Sequence, residues 1–161
     1  MRQRLVGPLR FLGGGRRAPG HQLLGARLGY GKLAAPGVGA VVALAYRATI
    51  DVPARFERSK AVGAALGLMP RRYQSGELDR TGRISKCGDG MLRSLLYEAA
   101  QVLLTRASGS WLKAWGLQLA KRRGMKRAIV ATARRLSVIL HRMWTEGSDF
   151  RLTKQGEGAS A

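Results

Sequence analysis

Three helical stripes follow one another between residues 91 and 146, and they leave room for little but a helical bundle. Leu92, Leu95, Leu96, Ala99, Ala100 and Leu103 recur at i, i+3, i+4, i+7, i+8 and i+11, which sets them on one face of a helix expected over Met91–Arg106. Asp89 stands where its N-cap is needed. Ser110 offers a second cap, for a helix to Arg123 that places Trp111, Trp115 and Leu119 on one face and is closed by Gly124. The third helix, Met125–Glu146, carries Ile129, Ala133, Leu136, Leu140 and Met143 in nearly a heptad seam. A mainly α fold follows: a helix-hairpin-helix-like element, a basic loop, then three amphipathic helices.

Upstream, Pro36-Gly37-Val38-Gly39 reads as a tight turn, and Ala40–Thr49 as a buried helix of small residues stopped by Asp51-Val52-Pro53. Ser59 is a candidate N-cap for a short helix to Leu66, ended by Gly67 and Pro70. In a helix-hairpin-helix, backbone N–H groups at such a glycine turn hold a DNA phosphate, so Gly37 and Gly39 are candidate contacts. The first helix of that pair would fall within residues 20–35, where helical periodicity is poor. Residues 1–35 are a Gly/Arg/Leu/Ala mixture without sustained period, expected to be a disordered basic arm or the translation of a shifted reading frame. Residues 36–150 form the expected domain, and 151–161 a polar tail.

Charge narrows the partners. Lys and Arg number 29 against 9 Asp and Glu, for a formal net charge of +20, and no acid precedes Asp51. A polyanion would relieve that self-repulsion, and DNA or RNA suits it best; an anionic membrane surface is the weaker alternative. The longest apolar run, Val38–Ile50, is too short to span a bilayer and contains Arg47. No membrane partner is therefore expected, and the motifs given below resemble those of a bacterial family, which implies a cytoplasmic, nucleoid-associated protein. The lone Cys87 excludes an internal disulfide and has no partner marking it as a nucleophile. His21 and His141 show no metal-ligand spacing, so neither metal nor other cofactor is expected in this chain.

Residues 71–90, RRYQSGELDRTGRISKCGDG, form a polar loop or hairpin. Arg71, Arg72, Arg80, Arg83 and Lys86 surround Ser75, whose neighbour is Gly76. A serine that attacks a phosphodiester needs an exposed hydroxyl, cations for the phosphoryl oxygens and a proton acceptor. The cations are present, while nothing places Glu77 or Asp79 as the base. By residue type alone, such a serine is usually only a turn or phosphate-contacting residue. Trp111 and Trp115 could stack bases or pack the core, and Arg134 and Arg135 could follow a nucleic-acid backbone or form a solvated face.

Taken together, residues 36–151 resemble the C-terminal half of the DEDD transposases of bacterial insertion sequences, a group related to the Piv-type DNA invertases. The resemblance rests on P-G-V-G at 36–39, Phe56, L-G-L-M-P at 66–70, Q-S-G at 74–76, G-R-I-S-K at 82–86, Gly88, L-R-S-L-L at 92–96 and E-A-A at 98–100. It implies a site-specific recombinase in which Ser75 is the catalytic nucleophile on a DNA phosphate. Gly37, Gly39, Arg71, Arg72, Gly76, Arg83, Lys86 and Arg93 are then the expected DNA- or RNA-binding residues. It also implies a guide RNA, assembly as a homo-oligomer or with intact transposase copies, and Mg²⁺ bound by four acids of a RuvC-like N-terminal domain. Nothing in residues 1–35 resembles that domain, so this chain is expected to be a truncated transposase inactive alone. The rival expectation is a non-enzymatic basic DNA- or RNA-binding protein.

Overall fold

The computed structural model describes residues 35–75 and 78–153, with residues 72–81 described in their backbone course alone. In chain order the elements are α1 (Ala40–Ile50), a 3-10 turn (Pro53–Arg55), α2 (Ser59–Ala65), β1 (Pro70–Ser75), β2 (Leu78–Ile84), α3 (Gly90–Thr105), α4 (Trp111–Arg123) and α5 (Met125–Glu146). The protein is mainly α among these residues, with β1 and β2 as a two-stranded antiparallel hairpin.

Two of the three long helices, α3 and α4, begin where their caps predict. The Asp89 carboxylate accepts from the Leu92 N–H at 2.8 Å, and the Ser110 hydroxyl from the Lys113 N–H at 3.2 Å. Each capping bond satisfies one of the N–H groups that a helix start leaves without a partner, a contribution of about 1 kcal/mol. Ser59 behaves otherwise. It is the first residue of α2, the N-cap is Arg58, and the Ser59 hydroxyl turns instead to His141 Nδ1 at 3.0 Å. A tertiary partner has taken the hydroxyl from the local role that its sequence position suggested.

α5 is the axis of the bundle and packs against α2, α3, α4 and the 3-10 turn, while α1 lies on α3. Its stripe of Ala128, Ile129, Ala133, Leu136 and Leu140 is buried in one core with Leu92, Leu96, Leu103 and Leu104 of α3 and Leu112 of α4. That apolar face is therefore occupied inside the protein, which removes it as a membrane-facing surface. No helix among the described residues is long and apolar enough to cross a membrane. On α4 the fully buried positions are Leu112 and Gly116, one residue beyond the expected tryptophan face. The reason is Gly116: a Cβ there would lie 2.5 Å from Leu104 Cδ2 and 2.8 Å from Thr132 Oγ1, so the bare backbone is what lets the helices close. Trp111 and Trp115 stand half-buried at the edge, with the Arg135 guanidinium 5.0 and 4.5 Å from their ring centroids. The pair thus packs at the edge of the bundle with one cation over both rings.

α1 is tied to the axis by one buried bond, in which the Tyr46 hydroxyl donates to the Ser137 carbonyl at 2.7 Å. Burial pushes the Tyr46 phenol well above its ordinary value, because the phenolate would lose its water. A phenol raised in the folded state stabilises the fold fully below the unfolded value near pH 10, and that stability drains away as pH rises further. Tyr46→Phe should cost about 1–2 kcal/mol at neutral pH. In alkaline unfolding titrations wild type should lose stability above about pH 10 and converge on the variant.

Candidate nucleic-acid interface

A two-stranded hairpin is marginal by itself, so its root must be held from outside. Two glycines do this. Gly67 and Gly88 have φ of +67° and +83°, a region that side chains disfavour. A Cβ on Gly67 would run into the Cys87 carbonyl oxygen, and one on Gly88 into that of Ala65. The chain entering the hairpin and the chain leaving it thus interlock backbone to backbone, with Lys86 N–H donating to the Gly67 carbonyl at 3.1 Å and Ser85 N–H to that of Met69 at 2.8 Å. Arg93, reaching back from the first turn of α3, points Nη1 at the carbonyls of Leu66, Lys86 and Cys87 at 3.4, 3.1 and 3.3 Å. A planar, permanently charged donor suits such a carbonyl cluster.

Above the root, Arg72 pairs with Thr81, Tyr73 with Arg80, Gln74 with Asp79 and Ser75 with Leu78. Pro70 pairs with Ile84, so the register slips and Gly82 and Arg83 together oppose Arg71. This is a β-bulge, which bends a strand and re-aims its side chains. At the bulge, Arg71, Arg83, Ile84, Ser85 and Lys86 line an open cleft of about 300 Å³. Arg71 donates from Nη2 to the Ser85 carbonyl at 3.0 Å, which fixes one wall. Lys86 sits at φ +58°, unusual for a residue with a side chain and a backbone cost incurred beside the cleft. The lining holds three cations and no acid. Such a set can hold phosphate oxygens and offset charge on them, but it provides no base.

The expected site residues separate in space. Arg71, Arg83 and Lys86 meet in the cleft. Ser75 ends β1 at the opposite end of the hairpin, about 13 Å from Arg71 at ~3.3 Å per residue of strand. The cations that neighbour Ser75 in sequence therefore do not all surround it, because an extended chain spreads them along its length. The side chains of Ser75, Arg72 and Arg80, and all of Gly76, lie outside the described residues. Arg93 is half-buried with Nη1 turned to the root carbonyls. Gly37 faces the backbone of α3, since a Cβ there would meet the Ala99 carbonyl oxygen; it is a packing glycine in the described structure. Gly39, the N-cap of α1, is exposed with nothing within 4 Å of its missing Cβ. The turn 36–39 is present, with Val38 N–H donating to the Ala35 carbonyl at 2.9 Å, but the partner helix expected within 20–35 falls outside the described residues. Sequence reasoning missed Ser85, Ile84 and the bulge; Gly82 inside a strand pattern was the available signal.

Among the described residues no group of three or more His, Cys, Asp or Glu could hold a metal ion. Cys87 is exposed.

A helical bundle that carries a cation-lined hairpin is the build of a basic domain with an extended arm. Comparison with known proteins names it further: residues 33–116 match the model of the transposase IS116/IS110/IS902 family, and the chain belongs to that family. It is 38% identical over 122 residues to the transposase for insertion sequence element IS1111A of Coxiella burnetii, covering 72% of this chain and 32% of that protein. A putative transposase y4pF/y4sB of Sinorhizobium fredii is 32% identical over 76% of this chain and 32% of its own length. A probable family 20 transposase of Pseudomonas aeruginosa is 32% identical over 74% of this chain and 36% of its own. The chain thus spans about a third of the length of these curated relatives.

Proposed function

We propose that the chain is the DNA-handling part of an insertion-sequence transposase, in which Ser75 attacks a DNA phosphodiester and the cleft holds a neighbouring stretch of backbone. The observation that carries this is the cleft of Arg71, Arg83 and Lys86 at the root of the very hairpin that ends in Ser75. In the step, Ser75 Oγ bonds to phosphorus as one bridging P–O bond breaks. The serine proton passes to a base, and the leaving oxygen gains a proton. Family membership supports a transposition role. The serine nucleophile, the guide RNA and assembly with further copies or intact transposase rest on the resemblance of Q-S-G and its flanking motifs. Mg²⁺ belongs to the same reading as a ligand of a RuvC-like domain, not of the residues described here.

The proposal expects the chain alone to bind DNA without attacking it. Incubated with a suicide DNA substrate, it should form no covalent adduct. With the remaining two thirds of a relative supplied in trans, an adduct should form and map to Ser75. Ser75→Ala should abolish that adduct, a loss of more than about 100-fold, while DNA affinity is unchanged. An adduct that survives Ser75→Ala would sink the nucleophile assignment. One formed by the chain alone would sink its dependence on a partner domain. Tight binding without an adduct in any combination would favour the non-enzymatic binder.

A further inference from the structure

Gly124 alone links α4 to α5, so the end of one helix abuts the start of the next. Lys121, Arg122 and Arg123 crowd the last turn of α4, and Lys126 and Arg127 the first turn of α5. All five are exposed, and no ion pair among the described residues involves them. The first three have a local explanation, since cations suit a helix C-terminus. The other two do not: they stand at the positive end of a 22-residue helix whose first turn contains no acid and whose N-cap offers no side-chain bond. A local choice that works against its own helix points to a demand from outside it. α5 also connects this corner to the hairpin. Ser59 meets His141 and Gly63 lies against the Arg134 stem, so α2 runs antiparallel along α5. The C-terminal end of α2, from which the hairpin departs, therefore faces the N-terminal half of α5. Arg127 lies about 10 Å along the axis from Arg134 at ~1.5 Å per residue.

We infer that the α4–α5 corner is a second binding surface for the phosphodiester backbone of nucleic acid, separate from the hairpin cleft and indifferent to base sequence. The inference rests on the reading of this chain as a nucleic-acid-handling protein. Exposed cations on adjoining helix ends can follow a backbone without reading bases. Each phosphate neutralised releases counterions, so the corner contributes salt-sensitive affinity.

The test uses the full chain with Lys121, Arg122, Arg123, Lys126 and Arg127 all changed to Gln. A second variant carries Gln at the equally exposed Arg55, Arg58, Lys60, Arg106 and Arg142, matching the lost charge elsewhere. A third carries Arg71→Gln, Arg83→Gln and Lys86→Gln. Affinities for a random 30-base-pair DNA duplex, an RNA hairpin and vesicles of anionic phospholipid are measured across a salt series, with thermal melts as a folding check. If about three phosphates contact the corner, its variant should bind ~100-fold more weakly at low salt, with a log–log salt slope shallower by ~3. The matched control should change less than about threefold. Loss on DNA, on RNA or on both supports the corner and identifies its strand. Equal loss in corner and control variants, loss on vesicles alone, or no nucleic-acid binding by wild type overturns the inference. If the cleft variant binds like wild type while the corner variant does not, the hairpin reading fails and the corner stands; the reverse pattern retires the corner and keeps the hairpin.

Discussion

Gly88→Ala is expected to destabilise the protein by about 3 kcal/mol and to lower its melting temperature by roughly 10 °C. Two effects combine. Gly88 has φ +83°, where an L side chain costs about 1–2 kcal/mol. The added methyl would also fall on the Ala65 carbonyl oxygen, which is backbone and cannot rotate away. Relief requires the exit of the hairpin to part from the end of α2, and that movement carries Lys86 out of the cleft. Loss of stability should therefore come with loss of DNA affinity, measured by calorimetry and by titration on one preparation. Gly39→Ala is the contrast, because its Cβ would enter open space at an ordinary φ of −93°. It should cost under about 1 kcal/mol, the difference between Gly and Ala at an N-cap. Equal costs at the two positions would show that the root is looser than the interlock requires.

His141→Leu should cost about 3 kcal/mol through unpaired polar groups rather than lost volume. His141 is almost fully buried and spans two segments: Nε2 lies 2.9 Å from the Pro53 carbonyl and Nδ1 3.0 Å from the Ser59 hydroxyl. A carbonyl can only accept, so Nε2 carries the proton. Phe56 packs edge-on against the ring, with centroids 5.7 Å apart. Leucine roughly preserves the volume and removes both bonds, which leaves the half-buried Pro53 carbonyl and Ser59 hydroxyl without their partner. His141→Gln, with a donor and an acceptor, should recover part of the loss. Equal melting of the Leu and Gln variants would assign His141 to packing alone.

Both predictions depend on contacts that are invisible along the chain. Local order was legible because it is written in neighbouring residues: the stripes of α3 and α5, the Asp89 and Ser110 caps, and the glycine between α4 and α5 each act within one or two turns. The bounds of α5 agree with its periodicity because Gly124 precedes it and Gly147 follows. Kinship with insertion-sequence transposases was legible too, from the order and spacing of short motifs. The candidate site was half legible. Its cations stood out as a basic stretch around Ser75, but a linear count could not show that strand geometry carries Arg71, Arg83 and Lys86 away from the serine and gathers them at a bulge. Nor could it show Arg93 turning to carbonyls or Ser59 turning from its helix to His141. Gly67 read only as the end of a helix and Gly88 as one residue of a motif series; only packing shows that each makes room for the other's neighbouring backbone. Sequence alone thus determined the helices, the charge and the family, since these follow from periodicity, composition and motif order. Tertiary structure alone decided which glycines are indispensable, which polar groups are paired and where the cations converge, since those depend on segments distant along the chain meeting at atomic range.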